Sequence, residues 1–259
     1  MKKLISAAVF AALLSAGAVH AETRKVGVTP GPHAQIVEKV KEVAAEKGLD
    51  LEVIEFSDYV VPNQALADGD LDINSFQHQP YLDNQVADRG FDLVSVAQSV
   101  NFPMAGYSSK IDSKADIPDG ATIALPNDPS NGARALLMLE DQGMIGLTKG
   151  VGVRASVIDI VDNPHDYTFV ELDAAQLPRA LGDVDVALIT TNYALDAGLN
   201  PVNDSLFREG AKAPYVGVIA VRAEDKDAAW VNTFVESYHS PEVKAFIEEQ
   251  FKGAITPTW

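Results

Sequence analysis

Phe76-Gln-His-Gln-Pro-Tyr81 closes a strand-like run that begins at Ile73 and opens a helical pattern that continues to Asp88. A proline presets φ for a helix start and biases the residue before it toward extended backbone, so His78 and Gln79 stay extended and Phe76 and His78 project to the same side. The same strand-then-helix unit recurs outward in both directions. Upstream, residues 25–28 precede a helical pattern at 35–47, and 51–56 precede 62–68; downstream, 93–96 forms the next strand. A second series pairs 122–125 with 130–142, 169–171 with 174–180, and 184–189 with 192–197. The chain then runs through 215–221 into helices near 227–238 and 241–252. Alternation on this period predicts an α/β fold of mixed, mostly parallel sheets flanked by helices.

Pro126-Asn-Asp-Pro-Ser-Asn-Gly-Ala-Arg134 opens one of those helices, with Asp128 as N-cap and Pro129 at the first helical position. Arg134 then falls within the first two turns, near unsatisfied N–H groups. A carboxylate bound there would gain a two-point, charge-assisted contact. A cation near its own helix N-terminus opposes the helix dipole, which argues for a binding role. Combined with the three rings Phe76, His78 and Tyr81, it describes a pocket for an amphipathic zwitterion.

The chain has 259 residues, no cysteine and a net charge of −17. Lys2 and Lys3, an apolar run from Leu4 to Leu14, and small residues ending at Val19-His-Ala21 read as a secretory signal cleaved ahead of Glu22. That run is shorter than the ~20 residues a membrane-spanning helix needs, and no later segment is expected to span. The missing cysteines exclude disulfides, thiolate metal sites and cysteine nucleophiles within this sequence. The acidic balance repels nucleic acid and anionic lipid. The length exceeds the common domain size of about 100–150 residues, so two lobes are expected.

Seven runs, one of them extending the first, follow one another along nearly the whole chain: Lys25-Val-Gly-Val28, Gly31-Pro-His-Ala-Gln35, Ser57-Asp-Tyr-Val-Val-Pro-Asn63, Gln77-His-Gln-Pro-Tyr-Leu-Asp83, Ala105-Gly-Tyr-Ser108, Val170-Glu-Leu-Asp-Ala-Ala-Gln-Leu-Pro-Arg179 and Tyr193-Ala-Leu-Asp-Ala-Gly-Leu-Asn-Pro201. In number and order they resemble the methionine-binding solute receptors of ABC importers, the MetQ/NlpA lipoprotein family. The resemblance implies a two-lobed periplasmic-binding-protein fold with the ligand in the cleft between lobes. Residues 22–108 and 217–259 would form a discontinuous first lobe, and 109–216 the second. It further implies that Tyr59, Phe76, His78 and Tyr81 wall the ligand side chain, that Arg134 holds its carboxylate, and that Thr190 meets its amino or carboxylate end. The implied partners are an amino-acid ligand, an ABC permease and its ATPase; the implied receptor is a monomer without cofactor.

Two departures accompany the likeness. The family carries a cysteine for lipid attachment after its signal; with none here, the expected protein is free in the periplasm and not lipidated. The family also has asparagines where this chain has Thr190 and Gly217. The expected ligand is therefore methionine, L or D, or a close analogue. A different small carboxylate, a modified amino acid, a methionyl dipeptide, or service as a ligand-sensing subunit stay open.

Enzyme chemistry is not expected. His33, His78, Ser75 and Ser130 fall into no G-x-S-x-G or H-E-x-x-H pattern, so no catalytic residue is assigned. No P-loop is present, which leaves ATP to the partner. Asp68-Gly-Asp-Leu-Asp72 lacks the order and closing glutamate of a calcium loop, so no metal is assigned. His33 reads as loop and helix-start geometry.

Overall fold

Strand and helix alternate strictly from Arg24 to Asn101: β1 (Arg24–Val28), α1 (Pro32–Glu46), β2 (Leu51–Glu55), α2 (Val61–Ala67), β3 (Ile73–His78), α3 (Gln79–Arg89) and β4 (Leu93–Asn101). The structure, a computed structural model, describes residues 23–210 and 214–259; the expected signal sequence and its cleavage point lie outside the described residues. The middle of the chain forms β5 (Met104–Tyr107), β6 (Thr122–Pro126), α4 (Pro129–Asp141), a small hairpin of β7 (Gly146–Leu147) and β8 (Ile160–Asp162), then β9 (Thr168–Leu172), α5 (Leu177–Ala180), β10 (Val186–Thr190), α6 (Thr191–Asp196) and β11 (Phe207–Arg208). It ends with β12 (Val216–Arg222), α7 (Ala229–Tyr238), α8 (Pro241–Phe251) and β13 (Thr256–Pro257).

These strands make two main sheets, one per lobe. The first has the order β13-β4-β12-β3-β1-β2 and the second β11-β5-β10-β6-β9. Parallel pairs surround β1 and β6, as βα alternation predicts, while β12 pairs antiparallel with both β3 and β4, and β5 antiparallel with β10. The antiparallel share is larger than expected because β5 and β12 enter their sheets directly from the other lobe, with no helix to return them to the starting edge.

Pairing also moves the first crossing. Residues 104–107, expected in the first lobe, belong to the second sheet: Met104 lies opposite Thr190 and Tyr107 opposite Ala187. Asn101 still pairs in the first sheet, opposite Val216 and Thr256. The chain therefore changes lobe at Phe102-Pro103, because proline cannot continue the ladder. It returns between Arg208, opposite Ala105, and Val216.

Both sheets are covered on both faces. Ile219 and Val221 of β12 join Val26, Val37, Phe234 and Ile247 in the core beneath α1, α7 and α8, whereas Val218 and Ala220 turn to Leu66, Leu71 and Leu82 under α2 and α3. The second lobe repeats this period of two. Ile123, Leu125, Val186 and Leu188 pack with Leu136 and Leu139 of α4, and Ala124, Ala187 and Ile189 pack with Leu177 and Tyr193. Among the described residues no helix is long and apolar enough to cross a membrane.

Candidate ligand-binding site

Residues at or just beyond the carboxyl ends of β1, β3, β6 and β10, drawn from both lobes, line one small cavity. Its wall includes all six residues singled out from the sequence, Tyr59, Phe76, His78, Tyr81, Arg134 and Thr190. His33, Gln77, Phe102, Asn131, Asn192, Tyr215 and Gly217 complete it. Most of these side chains are buried, Arg134 at 2% exposure, so the lobes are closed over the space.

Direct bonds between lobes hold that closure. Tyr59, in the loop after β2, donates its hydroxyl to Asn192 Oδ1 at 2.7 Å. Its single proton being engaged, the 2.9 Å contact with Thr190 Oγ1 has threonine as donor, which leaves the Thr190 oxygen lone pairs for another partner. His78 is the N-cap of α3 and accepts from the Tyr81 N–H at Nδ1, 3.1 Å. The proton therefore sits on Nε2 and is donated to Asn131 Oδ1 at 3.0 Å. Asn131 is itself fixed by Asp128, the N-cap of α4, whose carboxylate accepts from both its backbone and amide N–H groups. Burial, reinforced by the nearby Arg134 charge, pushes the His78 pKa down to about 3. His78 is thus a neutral clamp between lobes. Burial raises the Asp128 pKa, against the pull of those hydrogen bonds.

Tyr81 donates its hydroxyl to the backbone oxygen of Tyr59 at 2.7 Å, and its ring meets Phe76 edge-on with centroids 6.0 Å apart. Tyr59, Phe76 and Tyr81 lie pairwise 6.0 Å apart. The polar tips of Tyr59 and Tyr81 are capped by protein partners. What the three rings offer the cavity is therefore apolar and aromatic.

Arg134 differs from the expectation. Its Nε and Nη2 form a two-point pair with Glu209, at 2.7 and 2.6 Å, and Nη2 also donates to Phe102 O at 2.7 Å. Its guanidinium carbon lies 4.5 Å above the Tyr215 ring. The fork is therefore occupied by an internal carboxylate, which leaves Nη1 as the guanidinium nitrogen outside that pair. Glu209 escaped the sequence reading because it stands 75 positions from Arg134 in a run, Phe207-Arg-Glu209, with no motif. His33, expected as loop and helix-start geometry, lies in the first turn of α1; it is also 4% exposed, lines the cavity, and stacks on Phe102 at 4.2 Å. Burial lowers its pKa to about 3.

Gly217 faces the cavity where β12 bulges against β4. A Cβ there would lie 2.6 Å from Ser99 Oγ and 2.7 Å from the Val100 carbonyl, so only glycine fits this register. Asp72, from the rejected calcium run, bonds Arg24 and faces Arg222.

A sequence profile for the family described as NlpA lipoprotein matches residues 25–259. The D-methionine-binding lipoprotein MetQ of Yersinia pestis is 48% identical over 91% of this chain and 88% of its own. Among solved structures, a nutrient binding protein from Burkholderia cenocepacia bound to methionine is 52% identical, with a TM-score of 0.90 over 91% of this chain and 100% of that one. An ABC transporter periplasmic substrate-binding protein from Coxiella burnetii is 46% identical, with a TM-score of 0.88 over 91% of this chain and all of the other.

Proposed function

The chain belongs to the NlpA lipoprotein family, and on that premise we propose that it is a solute receptor that closes over an amino acid of methionine type and delivers it to an ABC permease. The observation that carries this is the wall of capped rings beside one free guanidinium edge. Tyr59, Phe76 and Tyr81 present faces suited to a thioether, since sulfur–aromatic contacts contribute roughly 0.3–1.5 kcal/mol each. Arg134 Nη1 takes the carboxylate, and Thr190 Oγ1, a donor to Tyr59, accepts from the ammonium. His78 holds the two lobes in register beside the ligand. No bond is made or broken. The ligand's work is to favour the closed form, because it touches both lobes only when they meet.

The site of action on this reading is the periplasm. Since the sequence contains no cysteine, no thiol within it can carry a thioether-linked lipid, and the receptor acts unlipidated.

Native mass spectrometry of the gently purified protein, followed by calorimetry of the stripped protein with L-methionine, D-methionine, other amino acids and methionyl dipeptides, tests the reading. The expected result is one methionine bound per chain. A different bound mass together with silence toward methionine would overturn the ligand assignment and name its replacement.

A further inference from the structure

Arg134 brings the one ionised side chain that lines the cavity among the described residues, the two histidines there being neutral. Behind it, the Glu209 side chain is 5% exposed and accepts three short bonds: two from the guanidinium and a third, 2.7 Å, from the Met104 N–H. The buried carboxylate cancels the buried cation before any ligand arrives. A ligand carboxylate at Nη1 would then leave the site with one uncompensated negative charge in a medium of low dielectric, which is costly. An ammonium on the same ligand removes that excess.

We propose that Glu209 sets the charge class of the ligand: by neutralising Arg134 it makes the cavity select net-neutral zwitterions over anions of the same shape. This rests on the reading of the cavity as an amino-acid site, and it adds the residue that decides between charge forms. Glu209 acts through Arg134 and is a positioning and specificity-determining residue. With Glu209 replaced by glutamine, the amide oxygen still accepts from Arg134, but the guanidinium becomes an unbalanced buried cation. The missing anion is then best supplied by a ligand that brings a carboxylate and no ammonium.

The test compares methionine with 4-(methylthio)butanoate, the same skeleton without the amino group, by calorimetric titration of wild type and Glu209→Gln, with circular dichroism to confirm folding. In wild type, methionine is expected to bind at least a hundredfold more tightly than the anion. In Glu209→Gln that ratio is expected to fall tenfold or more, a change of preference that a purely structural role would not produce. An unchanged ratio in a folded variant overturns the role of Glu209 while leaving the amino-acid site standing. Should the variant not fold, a wild type that accepts the anion as tightly as methionine overturns it equally. A wild type that binds methionine in no form overturns the amino-acid reading itself, and this inference with it.

Discussion

Arg134 and Glu209 show how a residue can carry stability and recognition at once. Breaking a buried ion pair strands one charge and typically costs about 3–5 kcal/mol, whereas replacing both partners with apolar groups of similar volume is often neutral. Arg134→Ala is therefore expected to lose binding and to lower unfolding free energy by about 3–5 kcal/mol. The double variant Arg134→Met with Glu209→Met should regain most of that stability and none of the binding. Urea unfolding alongside calorimetry separates the two; a double variant as unstable as the single one would refute the assignment of the cost to a stranded charge. Tyr59→Phe makes a milder test of closure. It removes the hydroxyl that meets Asn192 and Thr190, leaves the ring, and should weaken ligand binding by about 0.5–1.5 kcal/mol, the net worth of a hydrogen bond. Unaltered affinity would mean that this contact does not contribute to the closed state.

At the scale of elements, local chemistry explains what the sequence could and could not disclose. The start of α4 was legible because its signal is contained in four residues: Asp128 caps, Pro129 follows, and the carboxylate accepts from the Asn131 N–H at 2.9 Å. The passage from β3 into α3 was legible for the same reason, with Pro80 in the first turn, although Gln79, expected to stay extended beside His78, already opens the helix. His78 as the cap of α3 was not, since an imidazole acceptor has no distinctive spacing. Asn131 was missed because its partners, Asp128 and His78, come from two lobes. Asp128→Ala removes the cap and is expected to cost about 0.5–2 kcal/mol. It should also free Asn131 and so loosen His78. Thermal unfolding reads the first effect and ligand affinity the second; a loss of stability with affinity intact would disconnect the cap from the cleft.

For the whole molecule, periodicity picked out the longer strands but neither found β5 nor assigned strands to sheets, because a four-residue strand with no helix behind it has no period to read and only pairing places it. The same blindness hid Glu209 and Tyr215, which come near Arg134 only through the return crossing. Two histidines are buried at the cavity, and this makes stability depend on pH in a direction that can be worked out. His33 and His78 stay neutral in the folded protein down to about pH 3, whereas in the unfolded chain each takes up a proton near pH 6.5. Between those values the unfolded state binds more protons, so stability falls as pH falls, by about 1.4 kcal/mol per pH unit for each histidine once its unfolded form is fully protonated. Above pH 6.5 these two groups contribute no slope. The raised pKa of Asp128 acts oppositely, from the ordinary carboxylate value upward. Urea midpoints measured at pH 7.5, 6.0 and 5.0 should therefore decline, and His78→Gln, which cannot titrate, should lose about half of that decline. Equal stability at pH 7.5 and 5.0, or a decline untouched by the substitution, would show that the cleft histidines are not groups that the folded protein holds neutral.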